Sequence, residues 1–275
     1  MCANVLPAWE EFELEACEYL NNEIVNSTIE FRQTGGKNSL TSDIKVFKNN
    51  INLFSIEAKL SPSQSGQFVI LEDNGVYFLS DAGRFSNKYT QAIIDHLNAN
   101  NNEYSPQGQK ATNIKIDENL MVDWVIEHYK NKDSHFVITS TELGGYKAIF
   151  PIEDIKKYFH VTAVVRRKRS GTRSVPRSKM EDCVQELHAH ARNLGLTVTD
   201  FKKGDKPFVA FSENLEIDKK GRYFGKQYYL SPEDGGYNVK VRASTNNINV
   251  IFSLHYKGPK SNFGKEELEN FINKF

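Results

Sequence analysis

The chain has 275 residues, of which 39% are hydrophobic and 25% are charged, as in an ordinary globular protein. Lys and Arg together number 35, as do Asp and Glu, so the overall charge gives no indication of a polyanionic partner. The three cysteines form no Cys-x-x-Cys pair, which argues against a disulfide framework and favours a reducing cytoplasm. With no basic leader and no long apolar run, we expect neither secretion nor a membrane span.

The first predicted element is an amphipathic helix over residues 9–20, with Phe12, Ala16 and Leu20 on its inner stripe. Glu13 lies on this helix and could supply an additional carboxylate to a site. The alternative is that Glu13 belongs to the solvated face of a helix that carries several other acids, and for Glu13 alone this alternative is favoured.

Two strands are predicted next, over residues 43–47 and 51–60, with a turn at 48–50 between them. Side chains alternate along the second strand, so Glu57 and Lys59 share one face while their neighbours point at a core. A two-residue turn at Asn49-Asn50 would pair Asp43 with Ile56, on the wrong face. A three-residue loop or one bulge would pair Asp43 with Glu57, and we therefore predict one of these two irregularities.

Asp43, Glu57 and Lys59 together have the residue types of a magnesium-dependent phosphodiesterase site. Two carboxylates can hold the hard cation Mg²⁺, which activates water and neutralises charge on phosphate oxygens. A lysine beside them can orient the attacking water and offset charge on the scissile phosphate. The spacing taken alone is a weak pattern, because alternating charges also occur on ordinary exposed hairpins.

Polar residues next to these strands are candidates for supporting roles. Ser42 directly precedes Asp43, and Gln64 and Gln67 follow the second strand, where they could contact a DNA backbone or order a water. A polar helix face explains the two glutamines equally well, since residues 63–71 are predicted to begin a helix after Pro62.

The remaining elements alternate between helical and extended patterns. Helices are predicted over 88–98, 120–129, 151–158, 181–193 and 265–274, and strands over 136–139, 146–150, 161–165, 208–211, 227–230, 237–242 and 249–256. The polar stretch 98–108 is a first candidate boundary and residues 174–179 are a second.

A basic segment is the second strong feature. Residues 161–180 contain seven bases and no acid, whereas the first 31 residues contain seven acids and no Lys or Arg. The candidate DNA contacts in the basic segment are Arg166, Lys168, Arg169, Ser170, Arg173, Arg177 and Lys179. Arginine suits phosphate and the guanine edge, and the Ser-Gly-x-Arg arrangement predicts that Arg173 lies on a tight loop. The alternative is a solvated basic loop.

The chain resembles the HhaI family of restriction endonucleases, within the PD-(D/E)xK nuclease superfamily. The resemblance is carried by Trp9-x-Glu11-Phe12-Glu13, Tyr19-Leu20-Asn21, Thr41-Ser42-Asp43-Ile44, Ile56-Glu57-Ala58-Lys59, Ser63-Gln64-x-Gly66-Gln67-Phe68-Val69, Phe150-Pro151-Ile152-Glu153, Tyr158-Phe159, Ser170-Gly171-x-Arg173 and Asn249-Val250-Ile251-Phe252-Ser253. The basic segment is richer here than in the family, with Arg167 and Arg169 among the additions.

This resemblance implies an α/β (α+β) fold with a mixed β-sheet flanked by helices and two smaller mixed regions. It implies a catalytic nuclease domain at 1–110, a sequence-recognition domain at 111–178 and an accessory DNA-binding domain at 179–275. The implied activity is Mg²⁺-dependent Type II cleavage of double-stranded DNA at a short palindrome, GCGC by resemblance. The implied protein is a monomer, with a cognate DNA methyltransferase as its functional partner.

Two other functions remain open from the sequence. One is a mismatch-repair or modification-dependent nicking endonuclease that uses the same core. The other is a non-catalytic DNA-binding module on a nuclease-like scaffold, which is disfavoured because Asp43, Glu57 and Lys59 are all present. Cleavage of plasmid DNA would separate these classes.

Overall fold

The computed structural model describes residues 6–35, 41–80, 85–104, 111–167, 172–204, 206–215, 222–225, 227–242 and 247–275. The chain forms two compact units, one comprising Met1–Arg167 with Asn247–Phe275 and the other Lys168–Asn246. Within the described ranges, no helix is both long enough and apolar enough to cross a membrane.

The helices and strands follow one another along the chain as listed here. The elements up to residue 167 are α1 Ala8–Glu23, β1 Ile29–Gln33, β2 Ile44–Lys48, β3 Ile51–Leu60, β4 Ser63–Asp73, β5 Val76–Leu79, α2 Thr90–Ala99, α3 Asn101–Tyr104, β6 Thr112–Asn113, α4 Glu118–Lys130, β7 Ser134–Ser140, β8 Ala148–Pro151, a 3-10 helix Ile152–Asp154, α5 Ile155–Tyr158 and β9 Phe159–Arg167. The remainder are β10 Thr172–Ser174, a 3-10 helix Arg177–Lys179, α6 Met180–Asn193, β11 Val198–Lys202, β12 Phe208–Phe211, β13 Arg222–Phe224, β14 Tyr228–Glu233, β15 Gly236–Arg242, β16 Ile248–Tyr256 and α7 Lys265–Ile272.

The first sheet has the order β1-β2-β3-β7-β8 and is mixed, because β3 and β7 run parallel while the other neighbours are antiparallel. Helix α1 covers one face through Phe12, Ala16 and Leu20, which recur at helical spacing and are fully buried. Leu268 and Ile272 of α7 join the same core. The predicted inner stripe of the first helix is confirmed.

The second sheet of this unit has the order β5-β4-β16-β9-β6 and is antiparallel throughout. Its core includes Trp124 of α4 together with Phe68 and Phe252 from adjacent strands. The helix predicted to begin within residues 63–71 is wrong, because this segment is strand β4. Phe68 and Ile70 alternate into the core, and β4 pairs with β5 on one side and with β16 on the other, a pairing that the local pattern of residues 63–71 does not reveal.

The second unit contains one antiparallel sheet with the order β11-β12-β15-β14-β13, and β10 also pairs with β15. Helix α6 contributes Cys183, Leu187 and Ala191 to its core. The predicted helix at 181–193 and the predicted strands at 208–211, 227–230 and 237–242 are confirmed within a few residues.

The mixed α/β class is confirmed. The division into compact units follows the packing of segments that are far apart in the sequence. Residues 111–167 supply β6, β7, β8 and β9 to the two sheets of the first unit, and residues 247–275 supply β16 and α7. Residues 168–246 alone form the second unit. The functional division at 1–110, 111–178 and 179–275 stays a prediction about roles.

Candidate active site

The β2–β3 hairpin places Asp43 opposite Glu57. Its turn is Asn49-Asn50, with positive φ values of 50° and 67° at the two positions, as two-residue hairpins require. The strand register is Lys48 opposite Ile51 at the turn, then shifts by one residue between Val46 and Phe47. This irregularity is the predicted bulge, and the shifted register carries Asp43 to the level of Glu57.

The Asp43 carboxylate lies just before β2 and is almost fully buried. Its Oδ2 accepts a hydrogen bond from the backbone N–H of Ala58 at 2.9 Å and a second from Lys59 Nζ at 2.5 Å. The side chain is therefore held against β3, directly beside the two residues that the sequence pattern associates with it.

The Glu57 carboxylate is completely buried and has two different oxygens. Its Oε1 accepts hydrogen bonds from Ser134 Oγ at 3.0 Å and contacts Lys132 Nζ at 2.6 Å. Its Oε2 forms an ion pair with Lys59 Nζ at 2.9 Å and accepts no hydrogen bond of ordinary geometry. Glu57 Oε1 thus has two close donors, whereas Oε2 accepts no hydrogen bond.

Burial and the charges of neighbouring groups together set the pKa values in this cluster. Burial raises the pKa of Asp43, and Lys59 only partly offsets this rise. Burial alone would also raise the pKa of Glu57, but Lys59 and Lys132 outweigh it and lower that pKa to about 2. The pKa of Lys59 is raised well above its usual range, since the attraction of Asp43 and Glu57 exceeds the penalty of burial. At neutral pH Glu57 is a carboxylate and Lys59 is an ammonium ion.

A cavity of about 210 Å³ opens in front of these groups. Its lining includes the predicted Glu13, Asp43, Glu57, Lys59, Gln64 and Gln67, together with Trp9, Thr41, Ser65, Gly66, Phe85, His128 and Lys132. Gln64 is exposed, and Gln67 accepts a hydrogen bond from Asn249 Nδ2 at 2.9 Å. The structure therefore brings the predicted catalytic residues and three of the four supporting residues to one cavity.

The fourth supporting residue, Ser42, lies behind the cavity. Its Oγ donates to the backbone carbonyl of Lys132 at 2.8 Å and lies 3.0 Å from Ser134 Oγ. Ser42 thus connects the segment before β2 to the start of β7, and it contacts the partner of Glu57.

Glu13 approaches Asp43 across Gly35. A Cβ atom at Gly35 would lie 2.8 Å from Glu13 Oε2, 2.9 Å from Asp43 Cα and 3.2 Å from Asp43 Oδ1. Only a residue without a side chain leaves room for this approach. Glu13 also accepts a hydrogen bond from Gln33 Nε2 at 3.3 Å, and it is almost fully buried rather than on a solvated helix face.

His128 lines the same cavity as the carboxylates. Its ring stacks on Trp124 with centroids 5.0 Å apart, and a Cβ atom at Gly66 would lie within 3.0 Å of both rings. Gly66 has a φ of 152°, which also favours glycine. Burial lowers the pKa of His128 to about 4, and the nearby charge of Lys132 acts in the same direction.

The lowered pKa of His128 leads to a stability prediction. Between pH 6.5 and 4 the unfolded chain binds a proton at this imidazole and the folded chain does not, so stability falls as the pH is lowered through this range. We expect the wild type to lose about 3 kcal/mol more than His128→Phe between pH 7 and pH 4. Urea unfolding at a series of pH values measures this, and equal losses in both proteins would contradict the prediction.

The donor set of the cavity fits a hard divalent cation. Asp43 and Glu57 provide carboxylate oxygens, and Glu57 Oε2 is a buried acceptor without a hydrogen bond. Mg²⁺ commonly takes one or two protein carboxylates and keeps several waters. Within the described residues, no group of three or more His, Cys, Asp or Glu side chains is arranged to hold a metal ion.

The predicted DNA contacts lie in different elements, and some of them fall outside the described residues. Arg166 is exposed at the end of β9, and Arg177 and Lys179 are exposed in the short 3-10 helix. Arg173 lies in strand β10, in register with Val241 of β15, so the predicted tight loop at this position is wrong. The Ser-Gly-x-Arg arrangement suggested a loop, whereas pairing with β15 makes the segment extended. Lys168, Arg169 and Ser170 lie outside the described residues.

Lys132 and Ser134 are functional candidates that the sequence did not indicate. Lys132 lies in the turn before β7 and Ser134 is the first residue of β7, and parallel pairing of β7 with β3 brings both to Glu57. A helix followed by a buried strand is the usual connection between parallel strands, so the pattern of α4 and β7 held a signal for this placement. The spacing of polar residues alone held no signal for the placement of Lys132 and Ser134.

Comparison with solved structures identifies the class of protein as an endonuclease. An HhaI endonuclease solved in complex with DNA has the same fold with a TM-score of 0.71 and is 32% identical in sequence, over 98% of this chain and 98% of that chain. The chain belongs to the HhaI endonuclease family, as the residue motifs predicted. No family model matches the chain, and no curated protein matches it.

Proposed function

We propose that the protein is a Mg²⁺-dependent restriction endonuclease of the PD-(D/E)xK type that hydrolyses double-stranded DNA at a short palindrome, with GCGC as the proposed site. The observation that carries this proposal is the convergence of Asp43, Glu57 and Lys59, with Lys59 Nζ within 2.9 Å of both carboxylates. It is supported by full-length similarity to an endonuclease solved with DNA.

Each residue of the cluster has a distinct role in the proposed reaction. Asp43 and Glu57 would hold Mg²⁺, which when bound supplies a Lewis acid for the phosphate and an activated water. Lys59, kept protonated by the two carboxylates, orients the attacking water by hydrogen bonding and offsets charge on the phosphate. Burial of all three groups strengthens these electrostatic interactions, because solvent screening is weak there.

The proposed DNA contacts are the basic residues between 166 and 179. Arg166, Arg177 and Lys179 are exposed cations in a segment without acids, as contacts to phosphate require. Arg173 is proposed to read a guanine edge. In a cell, a cognate DNA methyltransferase would protect the same sites, and a monomer is the proposed functional form.

A single digestion experiment tests the proposed activity. Purified protein should cut unmethylated plasmid DNA in Mg²⁺ and leave ends that map to one palindrome, whereas EDTA should abolish cutting. Ca²⁺ should support binding without cutting, because it accepts oxygen ligands with looser geometry. Binding in Ca²⁺ should weaken steeply with salt if several phosphate contacts form.

The outcome also separates the alternative functions. Rapid specific cutting in EDTA would refute the role of a metal. Cuts confined to one strand at mismatched or modified sites would indicate the nicking enzyme, and specific binding with no cutting in Mg²⁺ would indicate the non-catalytic module.

A further inference from the structure

A second lysine, Lys132, contacts the catalytic glutamate but has no role in the proposed reaction described above. Its Nζ lies 2.6 Å from Glu57 Oε1, and its side chain is only 11% exposed. Ser134 Oγ donates to the same oxygen at 3.0 Å. Glu57 Oε1 is therefore saturated from the side of β7, while Oε2 accepts no hydrogen bond and faces Lys59.

The backbone around Lys132 is tightly fixed by hydrogen bonds. Its N–H donates to the carbonyl of Tyr129 at 3.0 Å, and its own carbonyl accepts from Ser42 Oγ at 2.8 Å. The next carbonyl, of Asp133, accepts from the N–H of Ser55 at 2.9 Å. The turn after α4 is thus bound to α4, to the segment before β2 and to β3, so the position of Lys132 relative to Glu57 is built into the fold.

The two lysines approach the same aromatic ring. Lys59 Nζ and Lys132 Nζ each lie 5.7 Å from the centroid of Tyr129, which is fully buried and hydrogen-bonded to Ser65. Each ammonium group reaches a different oxygen of Glu57. The carboxylate is consequently held between two cations and cannot rotate without losing a contact.

We propose that Lys132 is a positioning residue that fixes the orientation of Glu57, so that Oε2 alone is available to ligate the metal ion. This inference rests on the proposed Mg²⁺-dependent nuclease function. Partners that hold a metal ligand from behind commonly change metal affinity or activity by about 10–100-fold when they are removed. The competing role for Lys132 is a direct contact to a DNA phosphate, since the residue also lines the cavity.

The test uses Lys132→Met, which keeps the length of the side chain and removes its charge, and Lys132→Arg, which restores a cation. Lys130→Met is the matched control, because Lys130 is two residues away, half exposed and paired with Glu153 rather than with Glu57. Three quantities are measured: the Mg²⁺ dependence of the single-turnover cleavage rate, Mn²⁺ binding to the DNA-free protein by calorimetry, and DNA affinity in Ca²⁺.

We expect Lys132→Met to need about 10–100-fold more Mg²⁺ for half-maximal cleavage and to bind Mn²⁺ correspondingly more weakly. The DNA affinity of Lys132→Met should stay within about twofold of the wild-type affinity, because the inference has Lys132 contact Glu57 rather than a phosphate. Lys132→Arg should recover most of the loss, and Lys130→Met should match the wild type. If Lys132→Met does not fold, Ser134→Ala removes the other donor to Oε1 and should shift the metal requirement in the same direction.

Three results would overturn the inference. Unchanged or tighter Mn²⁺ binding by Lys132→Met would show that Lys132 does not position the ligand. Weaker DNA binding with an unchanged metal requirement would make Lys132 a phosphate contact. A wild type that neither cleaves nor binds Mn²⁺ would overturn the proposed function and this inference together, whereas the first two results leave the proposed function intact.

Discussion

Replacing Asp43 by alanine is expected to lower the rate of DNA cleavage by at least about 10³-fold while leaving specific binding in Ca²⁺ largely intact. Asp43 is a buried carboxylate of the cavity, and its Oδ2 accepts a hydrogen bond from Lys59 Nζ at 2.5 Å. In the proposed mechanism its loss removes a ligand of Mg²⁺, and with it several kcal/mol of transition-state stabilisation. Single-turnover cleavage and fluorescence anisotropy measure the two effects separately.

Two further variants define what Asp43 contributes. Asp43→Asn keeps an oxygen that can accept from the backbone N–H of Ala58 but removes the charge, so it should be as inactive as Asp43→Ala. Asp73→Asn changes an exposed carboxylate at the end of β4 and should cut at the wild-type rate. Cleavage by Asp43→Asn at the wild-type rate would show that the carboxylate charge is dispensable.

Trp124→Ala is expected to destabilise the first unit by about 3–5 kcal/mol, the usual cost of truncating a fully buried tryptophan. The ring stacks on Phe252 with centroids 4.1 Å apart and on His128, and its Nε1–H donates to Thr90 Oγ1 at 3.0 Å. Truncation would leave a cavity, because the surrounding strands and helices cannot collapse completely, and it would remove one of the hydrogen bonds that Thr90 Oγ1 accepts, leaving the one from the Asn87 N–H at 2.9 Å.

Urea unfolding provides the measurement, with Trp9→Ala as the matched control. Trp9 is 44% exposed, so the same truncation there should cost far less. Because Trp124 supports His128 at the wall of the cavity, Trp124→Ala should also reduce cleavage at temperatures well below its midpoint of unfolding. A loss of stability below about 1 kcal/mol would show that the core repacks around the missing ring.

The sequence by itself determined the parts of this protein that depend on neighbours along the chain. The alternation of β3 put Glu57 and Lys59 on one face, and the parity of the Asn49-Asn50 turn required the bulge that brings Asp43 to their level. The inner stripe of α1 followed in the same way from helical spacing. These features could be predicted from the sequence because the regular spacing of side chains along a strand or helix is a local property of the backbone.

Only the tertiary structure decided which distant segments meet. Residues 63–71 became strand β4 because β16 pairs with them, although their local pattern permitted a helix. Lys132 reached Glu57 because β7 pairs in parallel with β3, and residues 247–275 joined the first unit through β16 and α7. Strand pairing between remote segments depends on side-chain packing and burial across the whole sheet, which no local period encodes.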